Sequence, residues 1–146
     1  MRFRPANSNK LLTVLALAAA LAACAKDSPT SPPTTLAFGE WGADDAQVIA
    51  SDSVTHVWLQ CTSGDFAGSV VLDAEGRFSV NGTYDPYVLP IAPPDGPMPA
   101  QLSGQVAGNT LTFAIAVNDT IGHQVISLGP RTVVLGQQAN IVVCPD

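Results

Sequence analysis

Residues 100–118, "AQLSGQVAGNTLTFAIAVN", decide the fold because apolar and small or polar side chains alternate on both sides of a turn signal. Alternation with a period of two is typical of a half-buried β-strand, and a connection as short as "AGNT" joins neighbouring antiparallel strands. The stretch therefore predicts a hairpin of two strands, 100–108 and 110–118. Its predicted inward side chains are Leu102, Val106, Leu111, Phe113, Ile115 and Val117.

The same alternation recurs upstream in "THVWLQC" (55–61), "DFAGSVVLD" (65–73) and "RFSVNGTY" (77–84), with "SGD" and "DAEGR" as turn signals. Shorter candidate strands are "GEWGA", "AQVIAS", "HQVISLG", "RTVVLG" and "NIVVC". Short connections predict an all-β antiparallel meander of eight to ten strands. Closure into a barrel would remove its exposed edges, and a two-sheet β-sandwich is the alternative. Further inward candidates are Phe66, Val70, Leu72, Phe78, Val80 and Tyr84.

The amino terminus has a different character. "MRFRPANSNK" carries three basic and no acidic residues, and an apolar run of 13 residues follows from Leu11 to Ala23. A membrane-spanning helix needs about 20 apolar residues, so this run is too short to cross a bilayer. A basic start, a short apolar core and small residues at its end are typical of a cleaved export signal.

The junction "LAAC", residues 21–24, resembles the lipobox of bacterial lipoproteins. In that family cleavage falls immediately before the cysteine, which carries a thioether-linked diacylglycerol and usually a third acyl chain. The resemblance implies that residues 1–23 are a signal peptide, that Cys24 is lipidated, and that the protein is held in the cell envelope. Ala25, rather than Asp, after the cysteine implies the outer membrane if the source is a diderm bacterium.

Residues 24–35 follow as a predicted tether. "AKDSPTSPPTT" holds three prolines and five Ser or Thr residues and has almost nothing apolar to bury, so the composition favours an extended spacer. The remaining residues, 36–146, are of a size for one domain, and they constitute the predicted β domain.

The sequence has three cysteines, an odd number, and lipidation of Cys24 would leave an even number for disulfide pairing. Cys61 and Cys144 then remain, 83 residues apart, and export places them where disulfides persist. If paired, they would join the early and late strands and add roughly 4 to 5 kcal/mol on the chain-entropy model. A free, catalytic Cys61 is the alternative.

Charge argues against one class of partner. After cleavage three cations, Lys26, Arg77 and Arg131, face all 12 acidic residues, a net charge of −9. Such a chain cannot neutralise a run of phosphates, so nucleic-acid binding is not expected. The predicted membrane contact is the lipid alone.

Motifs for catalysis or cofactor binding do not emerge. His56 and His123 are far apart, and no His/Cys/Asp/Glu cluster has the spacing of a metal site. There is no G-x-S-x-G elbow beside the serines. The acidic residues of "GADDA", "DAEG" and "NDTIG" are read as turn formers. We therefore predict no catalytic residue, no metal and no cofactor, and a protein that is not an enzyme.

"GEW" at 39–41 resembles the G-x-W motif of the calycins, the lipocalin and avidin barrels. There the Trp closes one barrel end and a late basic residue packs on it, which implies these roles for Trp41 and Arg131 by cation-π stacking. The alternative is that Trp41 is an ordinary core aromatic. Together with the lipobox, the domain also resembles small uncharacterised β-barrel lipoproteins.

The segment 85–100, "DPYVLPIAPPDGPMPA", combines six prolines with apolar side chains. Long loops are usually functional or disordered, and a stiff apolar loop loses little entropy on binding. We predict a binding loop for a partner protein of the envelope, or a lid over the barrel. The predicted function of the domain is to bind such a partner or to serve a structural role, and a calycin-like carrier of a small apolar ligand is the alternative. The candidate contact residues are Tyr87, Val88, Leu89, Ile91 and Met98.

Overall fold

A computed structural model describes residues 34–87 and 96–141. Eight antiparallel strands follow one another without a crossover, each paired with the next, and β8 pairs with β1. The strands are β1 (Gly39–Gly42), β2 (Ala46–Ala50), β3 (Val54–Leu59), β4 (Thr62–Ala67), β5 (Arg77–Asp85), β6 (Met98–Ala107), β7 (Thr110–Asp119) and β8 (Gln124–Leu135).

The sheet closes into a barrel. The predicted all-β antiparallel barrel is confirmed with eight strands, and the sandwich alternative is wrong. The hairpin that decided the fold is present as β6 and β7, which pair from Ala100↔Val117 to Ala107↔Thr110. No described residue lies in a helix that could cross a membrane.

Three predicted strands differ from the structure. The run 65–73 leaves the sheet after Ala67, and Val71 makes an isolated bridge with Thr35 instead. The residues of the predicted turn "SGD" lie within β4, since the chain turns earlier, at Gln60 and Cys61. At the other end, "HQVISLG" and "RTVVLG" form one strand, β8, whose pairing with β7 shifts register between Phe113 and Ile115.

The barrel interior is an apolar core. All the predicted inward residues are buried except Val80, which is partly buried and packs against the same cluster. Trp41 is also buried, and its indole Nε1 donates to the carbonyl oxygen of Ala37 at 3.0 Å. An eight-stranded barrel is just wide enough for side chains to fill, and the largest fully buried residues here are Trp41, Tyr84, Phe113, Leu36, Leu102, Leu111 and Ile115.

We name the two barrel ends by their loops. The base holds residues 34–38, 51–53, 68–76 and 108–109, and the rim holds residues 43–45, 60–61, 86–87, 96–97 and 120–123.

The chain enters the barrel at the base. Leu36 N donates to Val70 O at 2.8 Å, and Leu72 N donates to Thr34 O at 3.1 Å. Leu36, Val70 and Leu72 are all buried. Thr34 and Thr35, which the sequence assigns to the tether, thus hydrogen-bond or bridge to the barrel.

After β8 the chain folds back over the outside of β1. Asn140 N donates to Ala43 O at 3.1 Å, and a Cβ on Gly42 would come within 2.6 Å of Ala139 N and 2.7 Å of Gln138 C. Only a glycine therefore leaves room for the tail, residues 137–141, to cross β1. The tail runs toward the rim, where Asn140 meets Ala43.

Candidate binding site at the rim

The free edge of β8, residues 124–130, is the main feature of the rim. β8 pairs with β7 along most of its length, but its ladder with β1 consists of Trp41↔Leu135 and Gly42↔Val134. Within the described residues, 124–130 therefore have a strand neighbour on one side only. An unpaired strand edge is a template for pairing with another chain.

Inward side chains of β8 are less buried along this edge than those of the neighbouring strand β7. Ile126 and Leu128 pair with Val117 and Ile115, whose side chains are fully buried. Ile126 and Leu128 share that inward face yet remain only partly buried. The core side chains of β8 are thus partly accessible where β1 no longer covers them.

The free edge is uncharged and apolar. Its sequence is "QVISLGP", without a Lys, Arg, Asp or Glu. Val125, on the outer face, is 67% exposed, and Ile121 in the preceding turn is also exposed. Proteins commonly blunt exposed edges with charged side chains, prolines or bulges, and here only Pro130 and the register shift at its end serve that purpose.

Asp119 fixes the turn that leads into this edge. Its side chain is 1% exposed. Asp119 Oδ1 accepts from Gly122 N at 2.8 Å and Ile121 N at 3.0 Å, and Oδ2 accepts from Gln124 Nε2 at 3.2 Å. These hydrogen bonds, the one from Gly122 first, lower the pKa of Asp119 because they favour its charged form.

Tyr87 joins the start of the predicted binding loop to the same turn. Its backbone N donates to Asp85 Oδ1 at 3.0 Å. Burial raises the pKa of Tyr87, and the nearby charge of Asp119, with which its phenol interacts, raises that pKa further. The loop therefore begins beside the β7–β8 turn, next to the free edge.

The structure describes only part of the predicted site. Tyr87 is 37% exposed at the rim, as a contact residue would be. Met98 begins β6 and is 2% exposed, so its side chain belongs to the core and not to an accessible surface. Val88, Leu89 and Ile91 lie outside the described residues, as do Cys24 and Cys144. Cys61 lies in the β3–β4 turn at the rim, partly buried.

Arg131 forms an ion pair with Asp45, at 3.0 Å between Nε and Oδ2. The cation-π stack on Trp41, implied by the calycin resemblance, is not among the contacts of the described residues, where the aromatic pair is His56 with Trp58. Arg131 instead links β8 to the β1–β2 loop, below the free edge.

His56 and Asp65 lie on the outer wall, directly opposite each other on β3 and β4. His56 Nδ1 is 2.5 Å from Asp65 Oδ1, and the imidazole lies 5.0 Å from the Trp58 ring, between centroids. His56 Nε2 has no hydrogen-bond partner in the described part of the chain.

Sequence reasoning missed the free edge because it divided β8 in two. The difference in length between two candidate strands could have revealed it. The five-residue candidate "GEWGA" is too short to pair along a strand that runs from 123 to 136.

Across 34–87 and 96–141 no group of three or more His, Cys, Asp or Glu side chains could hold a metal ion. Comparison with family models, curated proteins and solved structures gives no match for this chain.

Proposed function

We propose that this protein is a lipid-anchored protein of the cell envelope whose non-catalytic barrel binds a partner protein at the rim. The partner contributes an extended segment that pairs with the free edge of β8. The observation that carries the proposal is that, within 34–87 and 96–141, residues 124–130 pair with a strand on one side only. Strand addition of this kind takes its affinity from main-chain hydrogen bonds and its specificity from alternate side chains.

Three neighbouring features support this site. The edge carries no charge, so an apolar or neutral segment can approach without desolvating an ion. Ile126 and Leu128 offer partly open apolar surface on the inner face, and Val125 offers it on the outer face. Tyr87, the first of the predicted contact residues, lies exposed at the same end of the barrel and can add a side-chain contact.

The packed interior favours partner binding over the alternative, a carrier of a small apolar ligand. Apart from Thr55 and Asp119, the buried inward side chains of the described strands form an apolar cluster, whereas a carrier needs a cavity with a few convergent polar groups. Native mass spectrometry of protein purified from membranes would favour the carrier if a small apolar molecule remained bound.

The anchor rests on the lipobox resemblance at 21–24, which predicts acylated Cys24 and an envelope location, and predicts the outer membrane if the source is a diderm bacterium. Mass spectrometry of the membrane-extracted protein should give a chain that begins at Cys24 with a diacylglycerol mass. An intact Met1, or an unmodified Cys24, would overturn the anchor.

A Cys61–Cys144 disulfide is part of the proposal. Asn140 reaches Ala43, and Gln60 N donates to Asp45 O at 3.2 Å, so the tail and the β3–β4 turn converge on the same loop. Cys144 is four residues beyond Asn140, a span of at most about 14 Å. Cys61 is also engaged in an interaction. Non-reducing peptide mapping should join the two cysteines, and free thiols at both would refute the pairing.

The binding proposal is tested with a matched pair of lysines. Val125 and Asn118 face each other on the outer surface, and only Val125 lies on the edge strand. Both are exposed, so each substitution should change the free energy of unfolding by less than about 0.5 kcal/mol. In cross-linking from envelope extracts, Val125→Lys should lose the partner because an edge charge opposes pairing, and Asn118→Lys should keep it. Equal capture by both variants would refute the site.

A further inference from the structure

The base carries two large apolar side chains that the core does not need. Val71 is 70% exposed and Phe38 is 57% exposed. Val70 and Leu72, on either side of Val71, are buried, so alternation turns Val71 outward. Thr35 bridges to Val71, and Phe38 follows three residues later, just before β1. Both side chains therefore lie where the chain enters the barrel.

We propose that the base rests on the surface of a lipid bilayer, with Phe38 and Val71 inserted among the lipids. This inference depends on the proposed lipid anchor at Cys24. It adds an orientation: the base faces the membrane, and the rim with the free edge of β8 faces away from it.

The length of chain between anchor and barrel makes this contact favourable. Nine residues, 25–33, separate Cys24 from Thr34, so ten Cα–Cα steps join them and span at most about 36 Å. The base of an anchored barrel therefore stays within about 36 Å of the bilayer. Docking becomes an intramolecular event at high effective concentration, so two apolar side chains suffice where a free domain would need many.

The charges of the base specify the kind of lipid. Arg77 pairs with Asp73 at 3.1 Å and with Glu75 at 2.9 Å, and Asp52 adds a further negative charge in the β2–β3 loop. The four side chains sum to −2, and no described cation at the base is left to attract an anionic headgroup. The expected surface is zwitterionic, because anionic lipids would repel this end.

The orientation gives the rim a defined height. β7 runs from base to rim over ten residues, and with the usual strand rise and tilt of a barrel this is about 25 Å. Val125, near the rim, would stand well outside the bilayer while Phe38 touches it. The two positions therefore form a matched pair of exposed apolar sites.

Fluorescence quenching by brominated lipid tests the orientation. The acylated full-length protein is reconstituted in vesicles of phosphatidylcholine brominated in its acyl chains. The background is Trp58→Phe, which leaves buried Trp41 as a constant signal. Phe38→Trp and Val71→Trp should each be quenched several-fold more than Val125→Trp. Replacing part of the lipid with unbrominated phosphatidylglycerol at low salt should reduce the difference more than the same amount of unbrominated phosphatidylcholine does.

Equal quenching at the three positions, or stronger quenching of Val125→Trp, would overturn the orientation. Mass spectrometry of the same samples separates the two proposals. If Cys24 is acylated and Phe38→Trp is not quenched, the docking inference fails while the anchor stands. If Cys24 carries no acyl chain, the anchor fails and the docking inference falls with it.

Discussion

Replacing Gly42 with alanine should detach the tail, residues 137–141, from the outside of β1. The added Cβ would collide with Gln137 O and would come within 2.6 Å of Ala139 N. These are backbone atoms, so no side-chain rotation relieves the contact. Either the tail lifts away or β1 moves, and β1 is held by β2 on one side and by β8 on the other.

The cost follows from what the tail loses. Two hydrogen bonds tie it to β1 and the rim: Asn140 N to Ala43 O at 3.1 Å, and Ala139 N to Glu40 Oε1 at 3.4 Å. At about 1 kcal/mol each, Gly42→Ala should lower the free energy of unfolding by about 2 kcal/mol. Overpacking typically costs 1 to 3 kcal/mol, which gives the same magnitude. For a domain of this size the Tm should fall by about 8 °C.

Urea unfolding followed by circular dichroism measures this change. Gly108→Asn is the control, because a Cβ there meets nothing within 4 Å and Asn tolerates the positive φ of this turn. A detached tail would also separate Cys144 from Cys61, so the proposed disulfide should re-form more slowly after reduction in Gly42→Ala. A Gly42→Ala protein within 0.5 kcal/mol of the wild type would refute the packing of the tail against β1.

Three further substitutions test the base, the core and the rim. Leu36→Ala removes a buried side chain at the base and should cost about 3 kcal/mol in urea unfolding, whereas Phe38→Ala should cost little; equal costs would contradict the role of Leu36 as a core residue. Tyr84→Phe removes the hydroxyl that lies 2.7 Å from Thr62 Oγ1 and should cost about 1 kcal/mol at pH 8. Burial raises the pKa of Tyr84 to about 12, so the neutral phenol stabilises the fold fully below pH 10. As pH rises to 12, ionisation of this phenol should lower the free energy of unfolding by roughly 2 kcal/mol. Tyr84→Phe should show a smaller alkaline loss of stability, and an unchanged loss would refute burial of the phenol. Because the fold lowers the pKa of Asp119, the ionised carboxylate stabilises the protein at pH values above the ordinary pKa of 3.8, and this stability is lost as pH falls through the folded pKa. Asp119→Asn should have a lower Tm at pH 7, and its Tm should fall less than that of the wild type on acidification. Identical acid profiles for the two proteins would contradict this role.

The fold could be predicted because its strongest signals are local. In β7 the burial alternates throughout, in β6 it is interrupted at Ser103 and Gly104, which are both half-buried, and the turn at Gly108 and Asn109 lies where "AGNT" predicts it. The inward residues were assigned correctly because a half-buried strand must present alternate side chains to the core, whichever strand it pairs with.

The same reasoning fails after Ala67. Alternating burial continues through Val70 and Leu72, yet the chain leaves the β3–β4–β5 sheet at Gly68, where a Cβ would meet the backbone of Asp52 at 2.5 Å. Val70 and Leu72 are buried beside Leu36 at the base. A period of two in the sequence indicates that side chains alternate between core and solvent. It does not indicate which segment of the chain packs against the buried side chains.

The candidate site could not be read in this way because it depends on two strands that are distant in sequence. The free edge exists because β1 ends at Gly42 while β8 extends from Leu135 back to Gln124. Nothing within "QVISLGP" distinguishes a paired strand from an unpaired one. Tyr87 was accessible to sequence reasoning because a proline-rich segment is a local signal, whereas its position beside Asp119 depends on the pairing registers of β5, β6 and β7.

An uncharged free edge is a liability in a protein of this size, because a second copy can pair with it as readily as a partner can. The proposed lipid anchor would confine copies to a surface and would raise that risk. We therefore expect light scattering of the unlipidated domain, residues 34–146, to report some self-association that Val125→Lys abolishes and Asn118→Lys leaves intact. If that domain is strictly monomeric at high concentration, the edge selects its segment by side-chain contacts, and the Tyr87 side of the rim becomes the part of the site that determines specificity. If both variants abolish self-association, the outer face of β7 and not the edge of β8 is the contact surface, and strand addition is the wrong mechanism.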